Sequence, residues 1–203
     1  MNDPAAGWSR LHHGLDPHSS GLLWRWLTAM WWLARPLARL RVSPGAITVA
    51  GAALACAAVF VVRREPLLAV TFVLGSVVAD GLDGAVAVLQ GAASRFGALA
   101  DKIADRTSDI AFAAVLWRCG VPASLAILAG LGMLAVEVLR EVRSRPVVIT
   151  VAERPTRTIC TVLACGSVAI SSAHWPVLVC AWVLVGLSAL ALVQLSRSAA
   201  LAS

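Results

Sequence analysis

The chain has 203 residues, 59% of them hydrophobic and only 14% charged, with a mean hydropathy of +0.81. Globular domains carry roughly 45–50% apolar and 25% charged residues, so no soluble core of this size hides that much apolar surface; a bilayer is the solvent that fits. The formal charge is +6, and the 17 basic residues, all arginine except Lys102, lie between apolar runs rather than on a polar domain, which argues against nucleic acid and for the membrane surface.

Residues 1–20 read as a polar tail. They carry Asp3, Asp16 and three histidines, with no apolar core before a small-residue cleavage site, so the membrane spans are expected to insert as internal signals. From Gly21 to Arg41 the pattern changes. Wound at about 100° per residue, Arg25, Thr28, Trp32, Arg35 and Arg39 form one stripe, with Leu23, Trp26, Leu27, Met30, Leu33 and Leu37 opposite. Arginines spread this evenly among tryptophans predict an amphipathic helix lying in the membrane interface rather than a first span.

Prolines then mark six helix starts, because proline fits the first turn of a helix and not its interior. The expected spans run from Pro44 to Val62, Pro66 to Leu89, Gly97 to Trp117, Pro122 to Val142, Pro155 to Ile170 and Pro176 to Leu195. Each is near the roughly 20 residues that cross the hydrocarbon. The expected architecture is therefore an all-α integral membrane protein: polar tail 1–20, interfacial helix 21–41, and a six-helix domain over 42–197. One side of the membrane receives Arg140, Arg143, Arg145, Arg154, Arg157 and most other arginines; the other holds only Arg63, Arg64 and Arg118. The positive-inside rule then makes both termini cytoplasmic in a multi-pass protein of the cell membrane. Five cysteines sit within or beside apolar stretches without CxxC pairing and read as small core hydrophobes.

Chemistry concentrates on the second and third spans. Asp80 and Asp83 are three residues apart, Asp101 and Asp105 four apart, so each pair shares a helix face. The short connection at 90–96 makes the two helices antiparallel neighbours, and all four carboxylates are expected to converge at the cytoplasmic end. An ionised Asp at the centre of an inserted helix costs about 2.5–3.5 kcal/mol, and four together repel one another. Divalent cations with oxygen ligands resolve that cost most simply. Lys102 and Arg106 point about 100° away from the neighbouring Asp and do not neutralise the group. A structural polar cluster, or the cation pathway of a transporter, is the alternative. Asp109, one turn beyond Asp105, drifts about 80° from Asp101 and reads as a structural contact.

The segments Asp80-Gly-Leu-Asp83-Gly84-Ala-Val-Ala87-Val88 and, eight residues on, Gly97-Ala-Leu-Ala-Asp101-Lys-Ile-Ala-Asp105 resemble the signature of the CDP-alcohol phosphotransferase family, DxxDGxxAR followed by GxxxDxxxD. Seven of its eight fixed positions match; Val88 stands where the family has arginine. The resemblance implies a phospholipid-synthesising enzyme that transfers a phosphatidyl group from CDP-diacylglycerol to an alcohol and releases CMP. It implies that Asp80, Asp83, Asp101 and Asp105 hold Mg²⁺ or Mn²⁺, two ions in all, with Asp105 also the general base. Gly81, Gly84, Ala87 and Gly97 would lie against the cytidine nucleotide. Members are often homodimers. The valine leaves a catalytically degenerate member as a further alternative, with Arg95 as a substitute charge. UbiA-type prenyltransferases also use aspartate motifs, but on distant helices of a larger bundle.

A second cluster lies from Arg140 to Arg157. Topology alone accounts for it; the sharper reading makes Arg140, Arg154 and Arg157 an acceptor phosphate site at a helix start. Glu153-Arg154-Pro155-Thr156-Arg157 resembles a string in bacterial phosphatidylinositol-phosphate synthases, which makes inositol phosphate a candidate acceptor beside glycerol 3-phosphate.

Overall fold

A computed structural model of the chain describes residues 21–92, 94–142, 154–171 and 173–200. The tail 1–20 and Arg143, Arg145 and Glu153 lie outside the described residues. Those described form seven α-helices and no strand: α1 Gly21–Arg39, α2 Pro44–Val61, α3 Pro66–Gln90, α4 Arg95–Arg118, α5 Ala123–Val142, α6 Arg154–Ile170 and α7 Trp175–Ala200.

Proline and capping chemistry explain the helix starts. Pro44 and Pro66 are first residues of their helices, and the Pro122 carbonyl accepts the N–H groups of Leu125 and Ala126 at 3.0 Å to open α5. The third expected span begins two residues before Gly97, because Ser94 caps it: its hydroxyl accepts the Gly97 N–H at 3.0 Å. The stops are equally local. At the end of α3 the Ala92 N–H reaches the Ala87 carbonyl (3.0 Å) and the Gly91 N–H the Val88 carbonyl (3.2 Å), with Gly91 at φ +62°. That left-handed residue turns the chain toward α4. The end of α1 closes in the same way around Arg41 (φ 54°), a non-glycine residue in glycine's place.

Among the described residues, four helices are long and apolar enough to cross a membrane: Pro44–Val61, Pro66–Gln90, Ala123–Arg140 and Trp175–Arg197. The sequence reading expected six. α4 falls short because it carries Asp101, Lys102, Asp105, Arg106 and Asp109, and α6 is only 17 residues long. On α1 the stripe Arg25, Thr28, Trp32, Arg35 and Arg39 is exposed throughout, while Met30, Trp31 and Ala34 are buried.

The described residues form two compact units: 21–52 with 76–92 and 94–104, and 53–75 with 105–142, 154–171 and 173–200. In the first, α2 and α3 approach closely at Gly51, where an added Cβ would stand 3.0 Å from the Ala79 Cβ. Gln90 at the end of α3 donates to the Val42 carbonyl (2.9 Å), tying it to the lead into α2. In the second, α7 packs against α5 and α6. Val136, Ala191 and Leu195 form its buried centre, backed by Leu139, Leu187 and Leu192. The cysteines are free; Cys119, Cys160, Cys165 and Cys180 are buried and Cys56 half-buried, as small core hydrophobes would be.

Candidate metal and nucleotide site

The turn at Gly91 returns the chain so that α3 offers Asp80 and α4 offers Asp101 and Asp105. One carboxylate oxygen of each lies within 4.8 Å of the others, and all three residues are half-buried. Asp105 is set by the same continuous helix as Asp101, one turn on. Three like charges this close repel one another, and one guanidinium, Arg154 on Asp105, does not balance all three. Their donor set is oxygen only, which suits a hard divalent cation such as Mg²⁺ or Mn²⁺.

Asp83 does something different. Its Oδ2 accepts the Thr48 hydroxyl of α2 at 2.5 Å, and its Oδ1 accepts the Gly84 N–H at 2.6 Å, leaving it outside the close trio. Four aspartates were expected to meet at one point; three have oxygens within 4.8 Å of one another, and Asp83 lies beside them, held by Thr48. Sequence spacing along one helix carries no information about a hydroxyl on another, so Thr48 was missed. Thr48→Val removes the bond to Asp83 at nearly constant volume. It is expected to cost about 1.5–3 kcal/mol, the range for hydrogen bonds to charged groups, with Thr48→Ser restoring most of it. Unfolding midpoints of the three proteins in detergent check this; equal midpoints would remove Thr48 from the account.

The expected nucleotide positions separate into two kinds. A Cβ at Gly84 would meet nothing within 4 Å, so that face of α3 is open to a ligand. At Gly81 a Cβ would lie 3.0 Å from Met30 and 3.3 Å from Trp26, so this glycine lets α1 pack closely on α3. At Gly97 a Cβ would stand 3.2 Å from the Ser94 hydroxyl that caps the helix. Ala87 and Val88 are half-buried, Val88 one turn beyond Gly84.

The arginines expected at the acceptor all meet carboxylates within the second unit. Arg154 reaches Asp105 at 2.6 Å. Arg157 is 2% exposed, its Nη1 2.7 Å from Asp109 Oδ2 and its Nη2 2.7 Å from Glu137 Oε1. Arg140 lies 3.4 Å from both Glu137 oxygens, and Arg106 3.6 Å from Asp109. Asp109 is thus a structural contact, as its angular offset indicated. Glu137 was overlooked, though an acid among the apolar residues of a span was a legible sign, since such a residue needs a partner.

The sequence profile of the CDP-alcohol phosphatidyltransferases matches residues 41–189. The chain belongs to that family. Comparison with curated proteins by sequence returns no match. Among solved structures, the phosphatidylinositol phosphate synthase of Mycobacterium tuberculosis with CDP-DAG bound is similar at 24% identity and a TM-score of 0.71, over 83% of this chain and 92% of that one. The same synthase in complex with manganese and citrate gives 25% identity and a TM-score of 0.70, over 83% and 87%. The chain therefore shares the family's fold as well as its signature. Against that signature, Val88 is the one departure, and it falls on the open face that Gly84 begins.

Proposed function

We propose that this phosphatidyltransferase takes the phosphatidyl group from CDP-diacylglycerol and passes it to an alcohol, releasing CMP. The observation that carries the proposal is the Asp80, Asp101 and Asp105 cluster, built from the family signature on adjoining helices. Asp80, Asp101 and Asp105 would hold the divalent metal, two ions in our reading, with Asp83 fixed beside them by Thr48. The metal, when bound, spreads the negative charge of the diphosphate and makes CMP a better leaving group.

The rest falls to the chain's own groups. Asp105 accepts the proton of the acceptor hydroxyl as its oxygen bonds to phosphorus and the bond to CMP breaks. The open face at Gly84 admits the nucleotide close to the helix backbone, and Ala87 and Gly97 flank that approach. Gly81 serves the helix packing beneath it. The solved synthase carries CDP-DAG in one structure and manganese in another, which supports the same donor and a metal here. It also makes inositol phosphate the first acceptor to assay, against unphosphorylated inositol.

We further propose that all six helices from α2 to α7 span the cell membrane, with α1 in the interface, both termini and the site cytoplasmic, and a homodimer as the working form. On α4 the apolar residues Phe96, Leu99, Ile103, Ile110 and Trp117 are 46–80% exposed and recur on one face, while Asp109 is buried. Ile159, Leu163 and Ile170 of α6 do the same at 57–88%. An outward apolar face and an inward charged one are what lipid selects.

CMP release from CDP-diacylglycerol by the purified chain, with and without Mn²⁺, tests the activity; none with any acceptor would overturn it. Val88→Arg bears on the nucleotide face: restoring a charged donor there is expected to tighten CDP-lipid binding by about 1–3 kcal/mol. An unchanged apparent affinity would mean another group already serves the phosphates, with Arg95 the first to mutate.

A further inference from the structure

Arg106, Arg140, Arg154 and Arg157 of the second unit each meet a carboxylate, at 2.6–3.6 Å. The arginines of α1 do not. Arg25, Arg35 and Arg39, with Arg41 in the turn that follows, are exposed, and none of their guanidinium groups has an ion-pair or hydrogen-bond partner among the described residues. No acid lies between Gly21 and Arg64, so no near neighbour in the chain offers one. The positive-inside rule counts basic residues and is nearly blind to acids, so topology alone gives no reason for their exclusion. The helix that carries these charges is docked. Met30, Trp31 and Ala34 are buried, and a Cβ at Gly81 of α3 would stand 3.0 Å from Met30 and 3.3 Å from Trp26. Arg25, Arg35 and Arg39 fall within about 80° of one another around the axis, and Trp32, 71% exposed, shares that face.

We infer that this face of α1 docks acidic phospholipid, the class whose headgroup phosphate has no cation attached to it. A guanidinium fork matches two phosphate oxygens, and an acid beside it would only compete. Arg35 and Arg39 stand on neighbouring turns of one face, where like charges repel until an anion comes between them. The exposed Trp32 beside them has the amphipathic ring that settles at headgroup level. A choline headgroup brings its own cation, which the four arginines repel, so the face selects for lipid charge. The inference goes beyond an interfacial α1, which a neutral bilayer would also accommodate, and it is independent of the transfer reaction.

The test titrates the full chain, in a nonionic detergent, with dioleoyl phosphatidylglycerol and separately with dioleoyl phosphatidylcholine, and counts bound lipid by native mass spectrometry. The two lipids share their chains and differ in headgroup charge. Phosphatidylglycerol is expected to bind at least about tenfold more tightly, since each basic side chain near an acidic headgroup contributes roughly fivefold. Arg25→Gln, Arg35→Gln, Arg39→Gln and Arg41→Gln together should bring the two constants within about threefold of each other. Arg63→Gln with Arg64→Gln removes two exposed arginines elsewhere and should leave the preference as it was. Equal binding of both lipids by the wild type overturns the inference. So does a preference that survives the four α1 substitutions, because the acidic lipid would then sit on other arginines. A loss in the Arg63 and Arg64 variant as large as on α1 reduces the effect to net charge and overturns it too. If the fourfold variant does not fold, Arg35→Gln with Arg39→Gln takes its place: a loss of at least about threefold in preference is expected, and any smaller loss overturns the inference.

Discussion

Asparagine at Asp101 is expected to abolish metal-dependent CMP release, a loss of at least about 10³ in turnover, or near 4 kcal/mol of barrier. The substitution keeps the side chain's shape and one acceptor oxygen but removes the charge that a hard cation requires. Asp101 shares with Asp80 and Asp105 a group of oxygens within 4.8 Å, so Asp80→Asn and Asp105→Asn should be as damaging. In the metal-free protein, Asp80→Asn and Asp101→Asn should respond the other way: removing one of three crowded like charges relieves repulsion, so the unfolding midpoint in detergent should hold or rise, whereas Asp105→Asn also gives up the pair with Arg154. Turnover titrated with Mn²⁺, before and after chelation, measures the first effect and thermal unfolding the second. Near-normal turnover in two of the three variants would sink the metal assignment.

The largest effect on stability is expected from Arg157→Ala. That arginine is buried between Asp109 and Glu137, so its removal leaves two acids facing each other without a counterion. Breaking a buried ion pair from one side costs about 3–5 kcal/mol, because the remaining charge is neither solvated nor paired. Adding Asp109→Asn and Glu137→Gln to the same protein should recover most of the loss, since no uncompensated charge then remains. Unfolding of the three proteins in one detergent decides it. A loss under about 1 kcal/mol, the range of exposed pairs, would show that the network is solvated and structurally minor.

Much of the secondary structure was legible because its causes are local. Prolines and the apolar runs fix helix ends within two residues except at the last helix, which runs five residues past Leu195 to Ala200, and only Ser94, a cap outside the apolar pattern, moved a start noticeably. The carboxylate pairs were legible for the same reason, since three- and four-residue spacings set a shared helix face. Their partners were not. Thr48 lies 35 residues from Asp83, Arg157 48 from Asp109, and nothing in the intervening sequence specifies either pairing.

What the sequence determined by itself was the solvent, the helices and the family. A hydrophobic content of 59%, proline punctuation and a signature matching at seven of eight positions each act over short range or in bulk. What only the tertiary structure decided was how the charges are shared out. Asp80, Asp101 and Asp105 gather while Asp83 turns to Thr48, and the arginines at the start of α6 are taken up by Asp105, Asp109 and Glu137. The physical reason is the cost of an unpaired charge away from water. Each ionised group in these helices must find a partner, and which partner it finds depends on helix packing that no local pattern encodes.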